Sequence, residues 1–434
     1  MLDWLIVGGG VHGTVVASAL VAVGNARIEK LLIVDPEPRP LEAWNRRVAQ
    51  CGMRFLRSPA AHGVLPDFTA MLRWADSHEF DRADHTIAPY ARPSVELFYA
   101  HTKAALEASG IASRYQQDAI VGLEPGTHSW VAKTSANDRL QARNVVLALG
   151  RGTANSSLRV PSWARDSSSS LPIYHVFDRS FSRKLVAEKK NPVVIGGGVS
   201  AAHLALSLSA ANTAVTLIAR APLREEQFDS DPCYIGPKCY ERYLSIDDPE
   251  ERRSVIRRVR NPGSIPPDLM RELEAAVKRG SIRLVYDEVT AVRAGERGLS
   301  TLIGRVSHYE SDACVLATGF RTVTPGAHLL REVERNATVW DAAVRDSPGA
   351  EAPVGLRRDS AGRPIPAETL EWAPQLFLTG ILAEQELGPT APNIIGAHNA
   401  AKRIVSSIHG RPARVPTSWK RYAPDTASSS CGVL

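Results

Sequence analysis

Cysteine is scarce in this sequence, and the few cysteines present are irregularly spaced. The 434 residues include only Cys51, Cys233, Cys239, Cys314 and Cys431. No pair has the Cys-x-x-Cys spacing, which argues against the disulfide reductases that keep a paired thiol beside a flavin. The spacing also predicts no disulfide framework, and it favours a reduced, cytoplasmic setting.

Long uninterrupted hydrophobic runs are also lacking. Residues 2–23 are mostly apolar, but Asp3, His12 and three consecutive glycines interrupt them. No basic region or cleavage site accompanies this stretch, so we expect neither a signal peptide nor a membrane span.

Charge of one sign is not concentrated in long blocks, and the net charge is only +6. The one dense cluster consists of Arg252, Arg253, Arg257, Arg258 and Arg260. We interpret this cluster as a solvated helix face rather than a surface for nucleic acid or membrane. Anionic cofactors would account for a modestly basic protein. The irregularly spaced histidines predict no metal site.

The chain does contain a complete βαβ pattern near its start. A buried strand is predicted at 2–7, the turn Gly8-Gly9-Gly10-Val11-His12-Gly13 follows, and an Ala-rich helix covers 11–23. A second strand at 30–34 ends on Asp35. Glycines at the first, third and sixth positions let backbone N–H groups contact a pyrophosphate at the helix N-terminus, and the acid can bind ribose hydroxyls. We predict an FAD site here; the alternative is a glycine turn used for packing alone.

The same plan recurs about 188 residues later. A strand at 192–195 leads into Gly196-Gly197-Gly198, and the following helix carries Ser200 and Ala201, with Ala in place of the third glycine. The next strand, at 214–219, is followed by Arg220 where an NAD site would have an acid. Because Arg pairs with a 2′-phosphate, we predict NADPH at this turn. The alternative is that Arg220 is an ordinary surface residue at a strand end.

Two such units predict an α/β protein with two Rossmann-like dinucleotide-binding domains. We expect residues 1–165 to form the first part of an FAD domain and residues 190–325 an NADPH domain. Residues 370–415 would return to the FAD domain, and 416–434 would form a tail. The stretches 36–93 and 222–267 are predicted to be irregular and to form the substrate pocket.

A third motif resembles a known family. Asp312-Ala-Cys-Val-Leu316-Ala317-Thr318-Gly319-Phe320, with Pro325 four residues further on, is similar to the Asp-x₃-Leu-Ala-Thr-Gly-aromatic-x₄-Pro signature of flavin-dependent N-hydroxylating monooxygenases. These include the ornithine and lysine N-hydroxylases of siderophore synthesis, which have the same order of FAD turn, NADPH turn and signature. The resemblance implies cofactor contacts at Thr318 and Gly319.

Looser similarities to the same family follow the first βαβ unit. Trp44-Asn45 and Gly52-Met53 resemble segments that wrap the flavin, and Phe55-Leu56-Arg57 stands where the family has Phe-Leu-Lys. By this resemblance Arg57, together with Asn261, would face nicotinamide and substrate. Two departures leave ornithine and lysine open as substrates. Arg54 replaces the usual Gln, and the substrate-gripping Asp-Ser-Pro-Phe-x-Asn segment is only partly matched, at residues 229–233.

The C-terminal region looks like the flavin-closing segment of two-dinucleotide enzymes. It contains Gly380, and the segment that begins at Gly388-Pro389 runs through Pro392 and Asn393 into a helix near Ile394. The positive end of that helix can stabilise the anionic reduced flavin. Alternatively it is an ordinary capped helix. Gly150, which follows the predicted strand at 144–149, is a further predicted cofactor contact.

These features together predict an NADPH-dependent FAD monooxygenase. NADPH would reduce FAD, O₂ would form a C4a-hydroperoxide, and a small nucleophilic amine or sulfur substrate would be oxygenated. The alternatives are a flavin-dependent oxidase or dehydrogenase with a degenerate second site, and a non-catalytic flavoprotein that senses redox state. The expected partners are a small-molecule substrate and O₂, with neither nucleic acid nor membrane. The oligomeric state stays open.

Overall fold

Two large β-sheets organise the chain, a mixed eight-stranded sheet and an all-parallel five-stranded sheet. The computed structural model describes residues 1–126, 128–151, 157–165, 170–211, 214–295, 299–336 and 356–410. The predicted tail at 416–434 lies outside the described residues.

The first region supplies most of the first sheet. Its strands are β1 (Leu2–Val7), β2 (Leu31–Asp35), β3 (Thr86–Ile87), β4 (Arg92–Pro93), β5 (Tyr115–Gln117), β6 (Ile120–Gly126), β7 (Ser129–Thr134) and β8 (Arg139–Leu147). Its helices are α1 (Val11–Ala22), α2 (Glu42–Cys51), α3 (Ala70–Ser77), α4 (Arg82–His85) and α5 (Val95–Ala108).

Strand β1 lies at the centre of the first sheet, between parallel strands β2 and β8. Val7, its last residue, is in register with Val34 on one side and Leu147 on the other. The carboxyl ends of the three strands therefore meet at one edge, where open α/β sheets bind their ligands. Leu5 and Ile6 are fully buried because both faces of the sheet are covered.

The second region forms the second sheet and the helices around it, except that its last helix packs on β6 of the first sheet. Its strands are β9 (Ile173–His175), β10 (Pro192–Ile195), β11 (Val215–Ala219), β12 (Arg224–Glu225), β13 (Ser264–Ile265), β14 (Ile282–Tyr286), β15 (Val289–Ala294), β16 (Ser300–Gly304), β17 (His308–Ser311) and β18 (Ala313–Leu316). Its helices are α6 (Ser162–Arg165), α7 (Lys184–Ala187), α8 (Val199–Ser209), α9 (Pro237–Leu244), α10 (Pro249–Val259), α11 (Pro267–Lys278) and α12 (Ala327–Arg335).

The second sheet has the strand order β14-β11-β10-β18-β9, and all four pairings are parallel. Its edge strand β9 precedes residue 190, where we expected the second domain to begin. Apolar clusters pack on both faces, so the strands are continuously apolar, as in other doubly covered parallel sheets.

The C-terminal region returns to the first sheet, as the sequence predicts. It comprises β19 (Arg357–Arg358), β20 (Pro364–Ile365), β21 (Glu371–Ala373), β22 (Leu376–Leu378), α13 (Glu384–Leu387) and α14 (Ile394–Ile408). Strand β22 pairs in parallel with β8, and α14 packs along α1. The two-dinucleotide fold class is thereby confirmed.

The prediction that 36–93 and 222–267 are irregular is wrong, because both stretches contain helices. α2 to α4 lie in the first stretch, and α9 and α10 lie in the second. In the second stretch, two prolines start helices: Pro237 and Pro249 occupy the first turns of α9 and α10. Proline is favoured there because its missing N–H has no helical partner in any case.

The arginine cluster at 252–260 is only partly a solvated face. Arg252 is buried and donates to Glu386, and Arg260 pairs with the buried carboxylate of Glu384. Both arginines therefore tie α10 to the C-terminal region. These partners lie more than 100 residues away, so the local sequence gave no indication of them.

The expectation of no disulfide is also wrong. Cys233 and Cys239 form a disulfide, with their Cα atoms 5.5 Å apart. Residues 232–235 form a 3-10 turn just before α9, and this turn brings the two side chains together. Cys51 and Cys314 are buried free thiols.

Candidate cofactor and active site

The first glycine turn joins β1 to α1 at the carboxyl edge of the first sheet. A Cβ at Gly13 would lie 1.8 Å from the Gly8 carbonyl oxygen, whereas a Cβ at Gly10 would meet no atom within 4 Å. Helix α1 begins at Val11 with Gly10 as N-cap, and its first turn has neither a capping side chain nor an acidic residue. Open space and uncapped N–H groups together fit a pyrophosphate.

Asp35 lies at the end of β2, as predicted, but its carboxylate is bonded to the glycine turn. Oδ2 accepts a hydrogen bond from the Gly9 N–H at 2.7 Å, and Oδ1 accepts one from the Glu37 N–H at 2.8 Å. Burial raises the pKa of this carboxyl. Asp35 thus fixes the shape of the turn, and its contact with a ribose stays a prediction.

Glu37 is a second acid at this strand end, which sequence reasoning missed. Its side chain is 2% exposed and accepts two hydrogen bonds from Arg46, both at 2.8 Å, and one from Arg179 at 3.1 Å. The bonds from Arg46 hold the pKa of Glu37 below its ordinary value. Because Arg179 follows β9, the edge strand of the second sheet, this ion cluster links the two dinucleotide units.

His12 connects the first turn to the C-terminal region. Its Nδ1 lies 2.8 Å from the Thr379 hydroxyl, and its ring lies 3.6 Å from the Cβ position of Gly380. Burial lowers the pKa of His12 to about 4, so the ring is neutral at neutral pH. Its Nε2 is buried and has no hydrogen-bond partner within the described residues. An unpaired buried nitrogen beside the turn is consistent with a ligand that supplies the missing partner.

Helix α14 begins at Ile394, with Asn393 as N-cap and Pro392 before it. No side chain caps the helix, and its first turn has no acidic residue. A Cβ at Gly396 would lie 2.3 Å from the Thr390 carbonyl oxygen, so the approach segment packs tightly on the first turn. The positive end of α14 is therefore left for an anionic group such as the pyrimidine edge of reduced flavin.

Helix α2 and its C-terminus connect the two cores. Trp44 packs on Phe98, with ring centroids 4.9 Å apart. Gly52 ends the helix in a left-handed conformation, and a Cβ there would lie 2.7 Å from the side chain of Ser207 in α8. Met53 packs against apolar clusters of both sheets. Trp44 therefore lies within the first domain, and Met53 lies at the junction of the two.

The second glycine turn joins β10 to α8. A Cβ at Gly196 would lie 2.6 Å from the Ala317 carbonyl oxygen and 3.2 Å from the Ala201 side chain, so glycine is needed at the first position. Helix α8 has Gly198 as N-cap and, like α1, no capping side chain and no acid in its first turn, which includes Ser200. Gly263 lies against Gly198, 3.1 Å from the position of a Cβ. The turn fits a second dinucleotide phosphate, with the loop at Gly263 beside it.

Arg220 follows β11 directly and is exposed. Within the described part of the chain, its guanidinium forms no ion pair or hydrogen bond. Arg224 is different, because it donates to the Asn261 Oδ1 at 2.6 Å and to Glu226 at 3.2 Å. Arg220 is therefore the cation available to a phosphate at this strand end.

The Ala-Thr-Gly turn follows β18 and binds the segment around Arg159, which connects β8 to β9. The Thr318 hydroxyl donates to the Arg159 carbonyl, and the Gly319 carbonyl accepts the Arg159 N–H at 2.9 Å and lies 3.1 Å from the His175 Nε2. Gly319 and Gly150 both have positive φ, and a Cβ at either would meet no atom within 4 Å. Both glycines border open space at the carboxyl edges of their sheets.

Arg57 and Asn261, the predicted active-site residues, belong to one hydrogen-bond network. Arg57 donates to the Gln227 carbonyl at 2.8 Å and to the Ser264 hydroxyl at 2.8 Å, and that hydroxyl donates to the Asn261 carbonyl at 2.7 Å. Asn261 is buried, and its amide donates to the Phe228 carbonyl at 3.2 Å. The structure brings the pair together through Ser264, and their roles stay predictions.

Two arginines beside Phe320 were not predicted from sequence. The guanidinium of Arg47 lies 5.0 Å from the Phe320 ring centroid, and that of Arg151 lies 6.0 Å from it. Phe177 stacks on the same ring at 5.3 Å. Because Arg151 follows β8 and Phe320 follows β18, this cluster places positive charge between the carboxyl edges of the two sheets. In the sequence, the one indication of this cluster was that Arg151 directly follows Gly150, a predicted cofactor contact.

A cavity of about 590 Å³ opens beside α2. Met53 and Phe55 line one side and Tyr99 lines another. Its volume is in the range of small-molecule sites. Asn45 and Met53, which belong to the segments predicted to wrap the flavin, border this cavity, whereas the lining includes no residue of either glycine turn.

Sequence and structure comparisons agree with this geometry. A family model described as FAD-NAD(P)-binding matches residues 5–152. The chain therefore carries an FAD/NAD(P)-binding domain of that family over its first third. No curated protein matches the sequence.

Among solved structures, the fold is similar over the whole chain to a cadaverine monooxygenase of desferrioxamine biosynthesis from Erwinia amylovora, bound to FAD. The TM-score is 0.69 at 13% identity, covering 100% of both chains. The ornithine hydroxylase of Pseudomonas aeruginosa gives 0.67 at 18% identity, covering 94% of this chain and 99% of that one. The bacillithiol disulfide reductase of Bacillus cereus gives 0.56 at 17% identity, covering 94% and 99%. The chain thus has the two-dinucleotide fold that flavin-dependent N-hydroxylating monooxygenases share with related reductases.

Neither a membrane-spanning helix nor a metal-binding cluster of side chains is present in the part of the chain that the structure describes. No helix there is long and apolar enough to cross a membrane. No group of three or more His, Cys, Asp or Glu side chains there has the arrangement of a metal site.

Proposed function

We propose that this protein is an NADPH-dependent FAD monooxygenase that oxygenates a small nucleophilic substrate, with an amine favoured over a sulfide. The observation that carries the proposal is the presence of two uncapped glycine turns in a chain whose fold matches N-hydroxylating monooxygenases from end to end. The TM-scores against those enzymes, 0.66 to 0.69, exceed the 0.56 to 0.58 found for the disulfide reductases.

FAD would be held by Gly8, Gly10 and Gly13 at its pyrophosphate and by the N-terminus of α14 at its pyrimidine edge. When bound, the flavin would supply the redox chemistry, accepting electrons from NADPH and activating O₂ for transfer to the substrate. The protein itself binds, orients and excludes water. No triad of acid and base is needed for such a reaction when the substrate amine is neutral.

NADPH would be held by Gly196 and Gly198, with Arg220 at the 2′-phosphate. The network of Arg57, Ser264 and Asn261 lies against this turn through Gly263, and we assign Arg57 and Asn261 to the nicotinamide and substrate side. Arg57 is anchored by the backbone carbonyls of Glu226 and Gln227, on the loop that follows β12, so it would fix that loop over the cofactor as well as supply charge.

The first experiment uses FAD-loaded protein under anaerobic conditions. NADPH should bleach the flavin absorbance, and NADH should do so much more slowly. The Arg220→Ala variant should lose about 10- to 100-fold in NADPH affinity, the value of a charge-assisted phosphate contact, while NADH binding stays unchanged. Arg293→Ala, which removes an exposed arginine elsewhere on the second domain, is the control. Equal bleaching by both nucleotides would remove the NADPH assignment.

The second experiment admits oxygen and offers a panel of amines and sulfides. Oxygenated product should form in proportion to NADPH consumed for at least one compound. Hydrogen peroxide as the sole product for every compound would favour an oxidase or dehydrogenase. The absence of any NADPH oxidation would favour a redox-sensing flavoprotein.

One observation favours a second candidate, the reduction of a disulfide. Cys233 and Cys239 are paired in the turn that packs against residues 388–390, next to the proposed flavin-closing helix. In such a reaction the S–S bond would accept two electrons from reduced flavin and two protons, leaving two thiols. Thiol counting after anaerobic NADPH addition tests it, since two new thiols per chain would support this candidate and an unchanged count would exclude it.

A further inference from the structure

Residues 261–268 form a segment that lies between the second glycine turn and the first domain. The Cα of Gly263 is 3.1 Å from the position of a Cβ on Gly198, so this segment packs directly on the turn. The segment continues through β13 into α11, which carries Asp268 in its first turn. The position of the segment therefore decides how the loop at Gly263 meets a dinucleotide bound at the turn.

Two arginines of the first domain hold this segment. Arg57 donates to the Ser264 hydroxyl at 2.8 Å. Arg92, in β4, forms an ion pair with Asp268, and its Nη2 lies 2.7 Å from the Asp268 Oδ2. Because one contact lies in β13 and the other in α11, together they fix both the position and the direction of the segment relative to the first domain.

The Arg92–Asp268 pair is buried, unlike a second ion pair on the same helix. The Arg92 side chain is 3% exposed and that of Asp268 is 24% exposed. Arg54 and Glu272, whose pair lies one helical turn further on, are 67% and 46% exposed. Charges that lose their water gain little net stability from pairing, but a pair of close hydrogen-bonded charges accepts only a narrow range of geometries. The buried pair is therefore suited to fixing a position rather than to adding stability.

We propose that Arg92, acting through Asp268, is a positioning residue that sets the approach of the nicotinamide to the flavin. The inference rests on the proposed function, and it requires neither side chain to contact a cofactor. Hydride transfer needs its donor and acceptor atoms in a near-attack arrangement, and a displacement of about 1 Å can slow such a step about 100-fold. The segment that ends at Asp268 carries this constraint to the second glycine turn through Gly263.

The test compares the rate of flavin bleaching with nucleotide affinity in FAD-loaded protein. The Arg92→Met/Asp268→Leu variant replaces both charges by apolar groups, so its free energy of unfolding should stay close to that of wild type. At saturating NADPH and without oxygen, its flavin should bleach at least about 10-fold more slowly. Its calorimetric dissociation constant for NADP⁺ should be nearly unchanged, because the glycine turn and Arg220 are intact.

Three single variants separate positioning from folding. Asp268→Asn keeps the shape of the side chain and removes its charge, so it should slow bleaching in the same direction even if the double variant fails to fold. Arg92→Lys keeps the charge and should retain part of the rate. Glu272→Gln, the matched control, breaks the exposed pair on the same helix and should leave the rate unchanged.

Amide hydrogen exchange of the cofactor-free protein gives a readout that is independent of turnover. The Asn261 N–H donates to the Asp229 carbonyl at 2.8 Å, and the Ser264 N–H donates to the Asn261 carbonyl at 3.2 Å. Both should exchange faster in the double variant, because the segment is then held at one end only. The Gly196 N–H, which donates to the Ile218 carbonyl within the second sheet, should exchange as in wild type.

Bleaching at the wild-type rate in both Asp268→Asn and the double variant would overturn the proposal, and so would an equal loss of rate in Glu272→Gln. A loss of NADP⁺ affinity as large as the loss of rate would also overturn it, because the site itself would then be damaged. If NADPH does not bleach wild type, the proposed function fails. Hydrogen exchange then decides separately whether the ion pair holds the segment, and unchanged exchange at Asn261 and Ser264 would show that it does not.

Discussion

The imidazole Nδ1 of His12 and the hydroxyl of Thr379 lie 2.8 Å apart, although 367 residues separate them in sequence. His12 belongs to the first turn of α1, and Thr379 follows β22. The hydrogen bond therefore joins the start of the chain to its C-terminal return at the proposed flavin site. In the proposed site FAD contacts both segments, so we expect FAD to stabilise the whole first domain.

Acid should destabilise the protein because several histidines are buried in the neutral form. Burial lowers the pKa of His398 to about 3 and lowers to about 4 the pKa values of His12, His62, His101, His175 and His203. The folded pKa lies below the unfolded value of about 6.5, so the unfolded chain binds protons first as pH falls. The stabilisation is complete above pH 6.5 and is lost progressively towards pH 4, at up to about 1.4 kcal/mol per pH unit for each histidine.

Urea unfolding at pH 7, 6 and 5 measures this dependence. The slope should correspond to uptake of several protons, and His12→Gln should reduce it by about one. His409→Gln, at an exposed position, is the matched control. A free energy of unfolding that stays constant from pH 7 to pH 5 would contradict the burial of these rings as neutral groups.

Two alanine substitutions in the same turn should separate cofactor binding from folding. At Gly10 a Cβ meets no protein atom within 4 Å, and φ is −75°, so Gly10→Ala should change the stability of the apoprotein by less than about 0.5 kcal/mol. It should weaken FAD binding at least 10-fold, because the methyl group occupies the space of the pyrophosphate. Gly13→Ala places a Cβ 1.8 Å from the Gly8 carbonyl oxygen and should destabilise the apoprotein itself.

Thermal unfolding of the apoproteins and fluorescence titration with FAD provide the two measurements. Equal FAD affinity for Gly10→Ala and wild type would show that the phosphate does not lie at this turn. An unchanged unfolding temperature for Gly13→Ala would contradict the close packing of the turn on α1.

The Cys233–Cys239 disulfide should make a modest contribution to stability. It closes a short loop, for which the chain-entropy model gives about 2 kcal/mol. The Cys233→Ser/Cys239→Ser variant should therefore unfold at lower denaturant concentration. A reducing agent should destabilise wild type by a similar amount and leave the double variant unaffected.

Thiol counting on denatured protein provides the independent check. Five cysteines with one disulfide give three free thiols before reduction and five after it. Five thiols without reductant would mean that the pair is a dithiol in solution, and the stability difference should then disappear.

The sequence predicted the elements whose signals are local. Apolar runs bounded by glycine turns located β1, β10 and both helices that follow them, because a strand, a tight turn and a close-packed helix each constrain neighbouring residues. Asp35 and Arg220 were placed correctly at strand ends for the same reason. The return of the last strand and helix to the first sheet was expected from the two-dinucleotide plan, and β22 pairs with β8 while α14 packs along α1.

Contacts between distant segments could not be predicted. The ion cluster around Glu37 depends on Arg179, and the network at Ser264 connects Arg57 to a loop some 200 residues later. No periodicity or spacing encodes such pairs. The helices in 36–93 and 222–267 were missed for a different reason. The first stretch was interpreted from its many Pro and His and the second from its charge, although Pro237 and Pro249 start helices in the second.

Glu386 should be among the most sensitive positions outside the cofactor sites. Its carboxylate accepts hydrogen bonds from Arg252 at 2.5 Å and from Arg403 at 3.2 Å, and all three side chains are at most 8% exposed. Tyr240 donates to the Glu386 carbonyl at 3.0 Å and accepts from Arg403 at 2.9 Å. Removal of the carboxylate would leave two buried arginines without their counter-ion. We expect Glu386→Leu to lower the free energy of unfolding by about 3–5 kcal/mol.

A double variant and a variant of a surface ion pair provide the comparisons for this test. Glu386→Leu/Arg252→Leu should recover part of the loss, because one unpaired charge is removed together with its partner. Asp3→Asn breaks the ion pair with Arg27, whose side chain is 60% exposed, and should change stability by less than about 1 kcal/mol. A loss as small for Glu386→Leu as for Asp3→Asn, measured by denaturant unfolding, would mean that water reaches the Arg252 and Arg403 side chains. Helix α10 would then be held to the C-terminal return by apolar packing rather than by this carboxylate.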